Sequence, residues 1–321
     1  GIQVMPGERV SCIGCHEPRT SAPPLGLPSP LAARRPPSAP RKPAWAPDGI
    51  IDFVNVVQPV LDRYCVECHS GGHPDGGCDL SGDKTRFFNM AYDNLLGRSR
   101  SYRQHKMDSG EMLPEEVVKG KPLVHFYWLL RTPTAVNQPL WTGSHASRLL
   151  DYIDTEHCGR QIPLEDRERI YTWIDANVPY YGTYATSRRP CGGKRDLCAD
   201  PQTGEPEPWF ADGFLPIYVR RCASCHGDFP GTRLVTCWDG RTAWINLTRP
   251  EFSPALTAHL PAAAGGRNLD RAADGSPIPL FSGTDDPDYQ SLLQAIEEGR
   301  RRAWATPGPD MAGYAGRRRE P

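Results

Sequence analysis

One five-residue pattern occurs three times in this chain, as Cys12-Ile13-Gly14-Cys15-His16, Cys65-Val66-Glu67-Cys68-His69 and Cys222-Ala223-Ser224-Cys225-His226. Thiols three positions apart lie on one turn of helix, with the next residue's imidazole beneath them. A porphyrin with two vinyl groups can take a thioether from each thiol and the imidazole as an axial ligand to its iron. With 11 cysteines and 9 histidines in 321 residues, the pattern should arise by chance about 0.01 times. Three copies therefore point to one chemistry. Zinc would ordinarily need a second Cys or His pair at short spacing, and a dithiol redox pair would sit in a βαβ pattern; neither accompanies these motifs. The expected cofactor is three covalently bound haem c groups, attached through Cys12, Cys15, Cys65, Cys68, Cys222 and Cys225, with His16, His69 and His226 on the irons.

The rest of the composition suits such a protein. Thirty-four prolines and 31 glycines argue for much irregular backbone, and a buried porphyrin can replace missing apolar side chains. The expected fold is mainly α with extensive loops, built as tandem c-type cytochrome-like domains. Residues 1–47 hold the first motif and a Pro-rich linker, residues 48–187 the second motif and residues 188–321 the third. A Pro precedes the first Cys by six residues in every copy, as Pro6, Pro59 and Pro216, and Arg63 and Arg220 stand two residues before theirs. This marks a repeated helix that delivers the haem-binding turn. Thr85 to Leu96 is expected to form a short helix. Two more helices are expected, one capped by Ser144 with Ala146, Leu149, Leu150 and Ile153 on one face, and one opened by Pro163 with Ile170, Trp173 and Ile174 inward. The last helix is the clearest, with Asp286 as cap, Pro287 at its start and an apolar stripe of Tyr289, Leu292, Leu293 and Ile296.

A net charge of −1 gives no reason to expect nucleic acid or an anionic membrane as partner. No segment approaches 18 uninterrupted apolar residues, so no transmembrane segment is expected. Haem attachment implies export, hence a periplasmic or extracellular location. A chain starting at Gly1 without a signal peptide reads as processed or as part of something longer. Of the five cysteines outside the motifs, Cys191 with Cys198 is the easiest disulfide, Cys78 with Cys158 a second, and Cys237 is left over; all five could equally be free thiols.

The sixth position on each iron decides function, because a His or Met there gives an electron-transfer haem and an open site permits substrate chemistry. His157 follows the helix after Ser144 and is assigned to the second haem; Met311 follows the last helix and is assigned to the third. His145 is the main rival for the second haem, with Met112 behind it. His105 or His145 could serve the first. His73 is too close to its own motif to reach the far face, His125 lies in an aromatic run, and His259 has no distinguishing context.

Five phrases carry a family resemblance: Ser11 to Arg19, Pro59 to Cys65, Thr85-Arg86-Phe87-Phe88, Gly143 to Leu149 and Trp173 to Gly182. They resemble the haem-bearing part of hydrazine synthase alpha-subunit-like proteins, which are multihaem cytochromes. The resemblance implies a longer parent with a propeller-like region ahead of the haem domains. It also implies two departures here: Met311 where the C-terminal haem would have a distal His, and His73 where the middle haem would have an iron-ligating Tyr. The expected function is electron transfer between redox protein partners outside the cytoplasm. The rivals are a haem enzyme acting on a small nitrogen or oxygen species at one open haem, and a subunit of a larger haem complex or self-assembling polymer.

Overall fold

Phe53 and Phe210 each open the same local structure, matching position for position up to Cys65 and Cys222. In the computed structural model a π-helical turn, Phe53–Val57, runs into helix α1, Gln58–Tyr64, with Pro59 in its first turn. The second copy is a π-helical turn, Trp209–Phe214, running into Leu215–Arg221 with Pro216 in its first turn. Each Pro is the second residue of its α-helix, which directly follows the π-helical turn. Phe53, Val57, Phe210 and Phe214 are all buried. Each helix then hands its last carbonyls to the motif: the Cys65 N–H donates to Leu61 O and the Cys222 N–H to Tyr218 O, both at 2.8 Å.

The structure describes residues 36, 39, 41–96, 123–126, 142–182, 197–200, 203–226, 244–269, 275–276 and 278–314. The chain divides into two compact units, Gly1–Pro47 and Asp48–Pro321. In the first, the Ala46 N–H closes a turn onto Pro43 O. The second continues after α1 with α2 (residues 90–96), α3 (Leu149–Ile153), α4 (Leu164–Asp175), α5 (Leu215–Arg221), α6 (Ala223–His226), α7 (Pro254–Thr257) and α8 (Pro287–Ala305). The protein is mainly helical. Among the described residues, strand pairing is confined to isolated bridges, Lys84 with Asn89, His157 with Arg160 and Ala199 with Pro206. No described helix is long and apolar enough to cross a membrane.

Both repeats close in the same way, with a later helix crossing the π-helical turn. α4 lies against Phe53–Val57 and α8 against Trp209–Phe214. Around Phe53 the rings of Tyr92, Trp173 and Tyr180 gather at centroid distances of 5.2, 5.1 and 5.9 Å. Such pairs add about 0.5–1.5 kcal/mol each beyond their burial. α8 is bounded as its sequence implies: the Asp286 carboxylate accepts from the N–H groups of Asp288 and Tyr289, which satisfies two otherwise orphaned donors.

Two expected helices differ in the structure. Only residues 90–96 of the stretch after Thr85 are helical, because the Thr85 hydroxyl accepts the Phe88 N–H and holds a turn there. The helix expected from Ser144 is broken into a 3-10 turn, Ser144–Ala146, and α3, with Ser147 extended between them. Ser144 does not cap it; its N–H and hydroxyl both donate to Asp175 at the end of α4.

The sequences around the second and third motifs are joined within the second unit. Asp83 accepts from Asn246 Nδ2 (2.7 Å) and Arg249 Nε (2.6 Å), and the Leu247 N–H donates to Lys84 O (2.7 Å).

α8 passes close to the π-helical turn at Gly299, where a Cβ would stand 2.9 Å from three atoms of the buried Trp209 ring. Gly299→Ala should therefore destabilise the protein by about 1–3 kcal/mol through overpacking. Equilibrium denaturation of the two proteins measures it.

Candidate functional site

The second motif leaves α1 as a tight turn in which the His69 N–H donates to Cys65 O at 2.9 Å. Its imidazole Nδ1 lies 3.2 Å from the carbonyl of Cys78. A carbonyl only accepts, so Nδ1 is the donor of this contact. Such a backing hydrogen bond fixes the tautomer and orientation of a metal-ligating His. The loop is tied once more by the Leu80 N–H donating to His69 O at 2.7 Å.

Facing this ring is His157. The two ring centroids are 6.3 Å apart and their planes differ by 25°. Two imidazoles that grip one metal from opposite sides, each through a nitrogen about 2 Å away, have centres roughly 6 Å apart. The observed spacing is compatible with that arrangement; the two rings lie nearly parallel, toward the far end of direct aromatic contact.

His157 is presented by a two-residue hairpin turn. Its N–H donates to Arg160 O, and the Arg160 N–H donates back to His157 O, both at 3.0 Å. The central residues Cys158 and Gly159 have φ of 50° and 76°, the left-handed pair that such a turn requires. Tyr152 meets the His157 ring edge-on at 5.3 Å. Arg160 forms an ion pair with Glu67, the residue between Val66 and Cys68 of the motif, so the turn bearing His157 is tied to the turn bearing His69. Cys158 is an exposed free thiol 3.8 Å from His157 Nε2, and the expected Cys78–Cys158 bridge is not formed.

Burial pushes the Cys65 thiol up to about 11, with Arg160 pulling against it and Cys68 adding to it. Among the described residues no three His, Cys, Asp or Glu gather into a metal site; a haem iron needs only two protein ligands, since the porphyrin supplies the other four.

In the third motif Cys222 is buried, and Met311 belongs to the same buried cluster, with Tyr218, Leu256 and Ile296. The Met311 sulfur accepts from the Gly308 N–H at 3.3 Å. Backbone places Cys225 and His226 in α6. Cys12, Cys15, His16, His105, Met112, Cys191 and Cys237 lie outside the described residues. His145 is exposed on its 3-10 turn. His73 is turned to the third repeat, its Nε2 2.7 Å from Gly265 O. His125 is buried, and His259 accepts through its carbonyl from the Leu280 N–H.

Two acidic residues that tie down the helices before the motifs escaped sequence reasoning. The arginines before each first Cys grip an acid in the first turn of the crossing helix. Arg63 pairs with Asp166 of α4 at 3.2 Å, joined there by the Tyr64 hydroxyl at 3.0 Å, and Arg221 pairs with Asp288 of α8 at 2.5 Å, beside Arg220. The Arg offset was legible; the acids lie about 70–100 residues away, beyond any local pattern.

No family model, curated protein or solved structure matches the chain.

Hydrogen bonds from Arg220 and then Arg221 hold the Asp288 carboxyl below the usual carboxylate range. A lowered folded-state value stabilises the protein above the ordinary carboxylate pKa, and this is lost as pH falls through the lowered value. Between about pH 5 and about pH 3 the wild type should lose more thermal stability from this site than Asp288→Asn, which has no charge to titrate. Melting curves of both proteins across that range decide it.

Proposed function

We propose that the chain is a three-haem c-type cytochrome of tandem cytochrome c-like construction, carrying electrons between redox partners outside the cytoplasm. Its relatives in this reading are the hydrazine synthase alpha-subunit-like proteins. The observation that carries the proposal is the opposed pair of His69 and His157, 6.3 Å apart, on a C-x-x-C-H turn whose proximal imidazole is already backed by the Cys78 carbonyl.

The residues fit the group. Cys65 and Cys68 would hold the second haem covalently, and His69 and His157 would take its two axial positions. Cys222, Cys225 and His226 would hold the third, with Met311 opposite. Each bound haem supplies reversible one-electron chemistry at its iron. At the second and third motifs the protein's part would be to supply two ligands to each iron, which would favour electron transfer over small-molecule turnover there. A sulfur ligand at the third site and two imidazoles at the second would set the third potential above the second. His73 is held at Gly265 O, so it takes no part in ligation on this reading.

Replacement of His157 tests the assignment. His157→Ala should leave the second haem covalently attached but open on one face. Its EPR spectrum should gain a high-spin signal, and the reduced protein should bind one more carbon monoxide than the wild type. An unchanged carbon monoxide stoichiometry and an unchanged low-spin spectrum would exclude His157 as the distal ligand.

A further inference from the structure

Asp310, immediately before Met311, has a side chain with no solvent exposure. A buried carboxylate is costly unless it is paired and hydrogen-bonded, and the partners it finds come from the other repeat. The Tyr180 hydroxyl donates to Oδ2 at 2.6 Å, the Tyr181 hydroxyl donates to Oδ1 at 3.3 Å, and the Lys84 ammonium lies 3.2 Å from Oδ2.

These donors are themselves fixed. The Tyr180 ring stands 4.7 Å from Phe88, 4.9 Å from Tyr92 and 5.9 Å from Phe53, and its carbonyl accepts the Phe53 N–H at 3.3 Å. Tyr181 packs perpendicular to it at 4.8 Å. Lys84 is anchored through its backbone, its N–H donating to Thr248 Oγ1 and its carbonyl accepting the Leu247 N–H. The aromatic core around the second motif therefore presents a rigid set of donors to the loop that follows α8.

On that loop the Met311 N–H closes a turn onto Gly308 O at 3.0 Å, and the Gly308 N–H points at the Met311 sulfur. One lone pair of the thioether is thus directed, and a second remains. We infer that Asp310 is a positioning residue for Met311: clamped by Tyr180, Tyr181 and Lys84, it fixes the height and direction at which the sulfur meets the third haem. The inference rests on Met311 being that haem's distal ligand, and it makes the second repeat's core a determinant of the third haem's ligation.

The test uses the holoprotein and the conservative variant Tyr180→Phe, which keeps the ring in its core and removes only the hydroxyl. The wild-type ferric protein should show the near-infrared charge-transfer band of methionine-to-iron ligation. In Tyr180→Phe, added imidazole should displace Met311 about tenfold more readily, as expected for losing one hydrogen bond to a charged group. Tyr181→Phe, whose bond is longer, should shift the displacement less. The low-spin EPR signal of the second haem should stay unchanged in both. An unaltered imidazole titration with the band intact overturns the inference, and so does a change that moves the second haem's signal equally, because that reports a general structural defect. A wild-type protein without the band removes Met311 as ligand and the inference with it.

Discussion

The Cys78 carbonyl behind His69 is a small contact on which much else depends. It occupies one ring nitrogen of His69 and leaves the other as the nitrogen that a ligand would meet. The surrounding contacts hold the ring in that position. α1 ends at the motif, the Leu80 N–H returns to the His69 carbonyl, and the Arg160 to Glu67 ion pair holds the hairpin of His157 opposite. Exposed ion pairs contribute little to stability; this one is better understood as setting the register of two loops about a common axis.

The same plan serves twice. A π-helical turn and short helix deliver a motif, an arginine just before the first Cys reaches an acid in the first turn of a later helix, and that helix crosses the π-helical turn. π-Helical segments are uncommon and tend to be found where function demands a local widening. Here they place Phe53 and Phe210 under the crossing helices. Between the repeats lie Asp83 with Asn246 and Arg249, and Asp310 with Lys84, Tyr180 and Tyr181. Buried polar networks of this kind are costly when incomplete and specifying when satisfied, so the two repeats are organised as one body.

Much of this was legible in the sequence where the physics is local. The C-x-x-C-H spacing, Pro59 and Pro216 in the first helical turns, and Asp286 with Pro287 at the start of α8 all act within a few residues. The sequence singled out His157 from its place after a helix, and the fold brings its ring to 6.3 Å from that of His69. Ser144 failed as a cap because the Asp175 carboxylate, brought in by the fold, competes for its N–H and hydroxyl. The turn at Thr85 failed as a helix start because its hydroxyl captures the Phe88 N–H, a choice that Thr offers any backbone. Asp166, Asp288 and Asp310 had no local signal, since their partners are set by tertiary packing alone.

The central claim is that these turns hold covalent haem, and mass spectrometry addresses it most directly. The full chain should be produced in cells that export it and attach haem, then measured intact and as proteolytic peptides. The account predicts a mass increment of three haems, with peptides spanning Cys12 to His16, Cys65 to His69 and Cys222 to His226 each carrying one. Unmodified Cys65 and Cys68 in that material would contradict it.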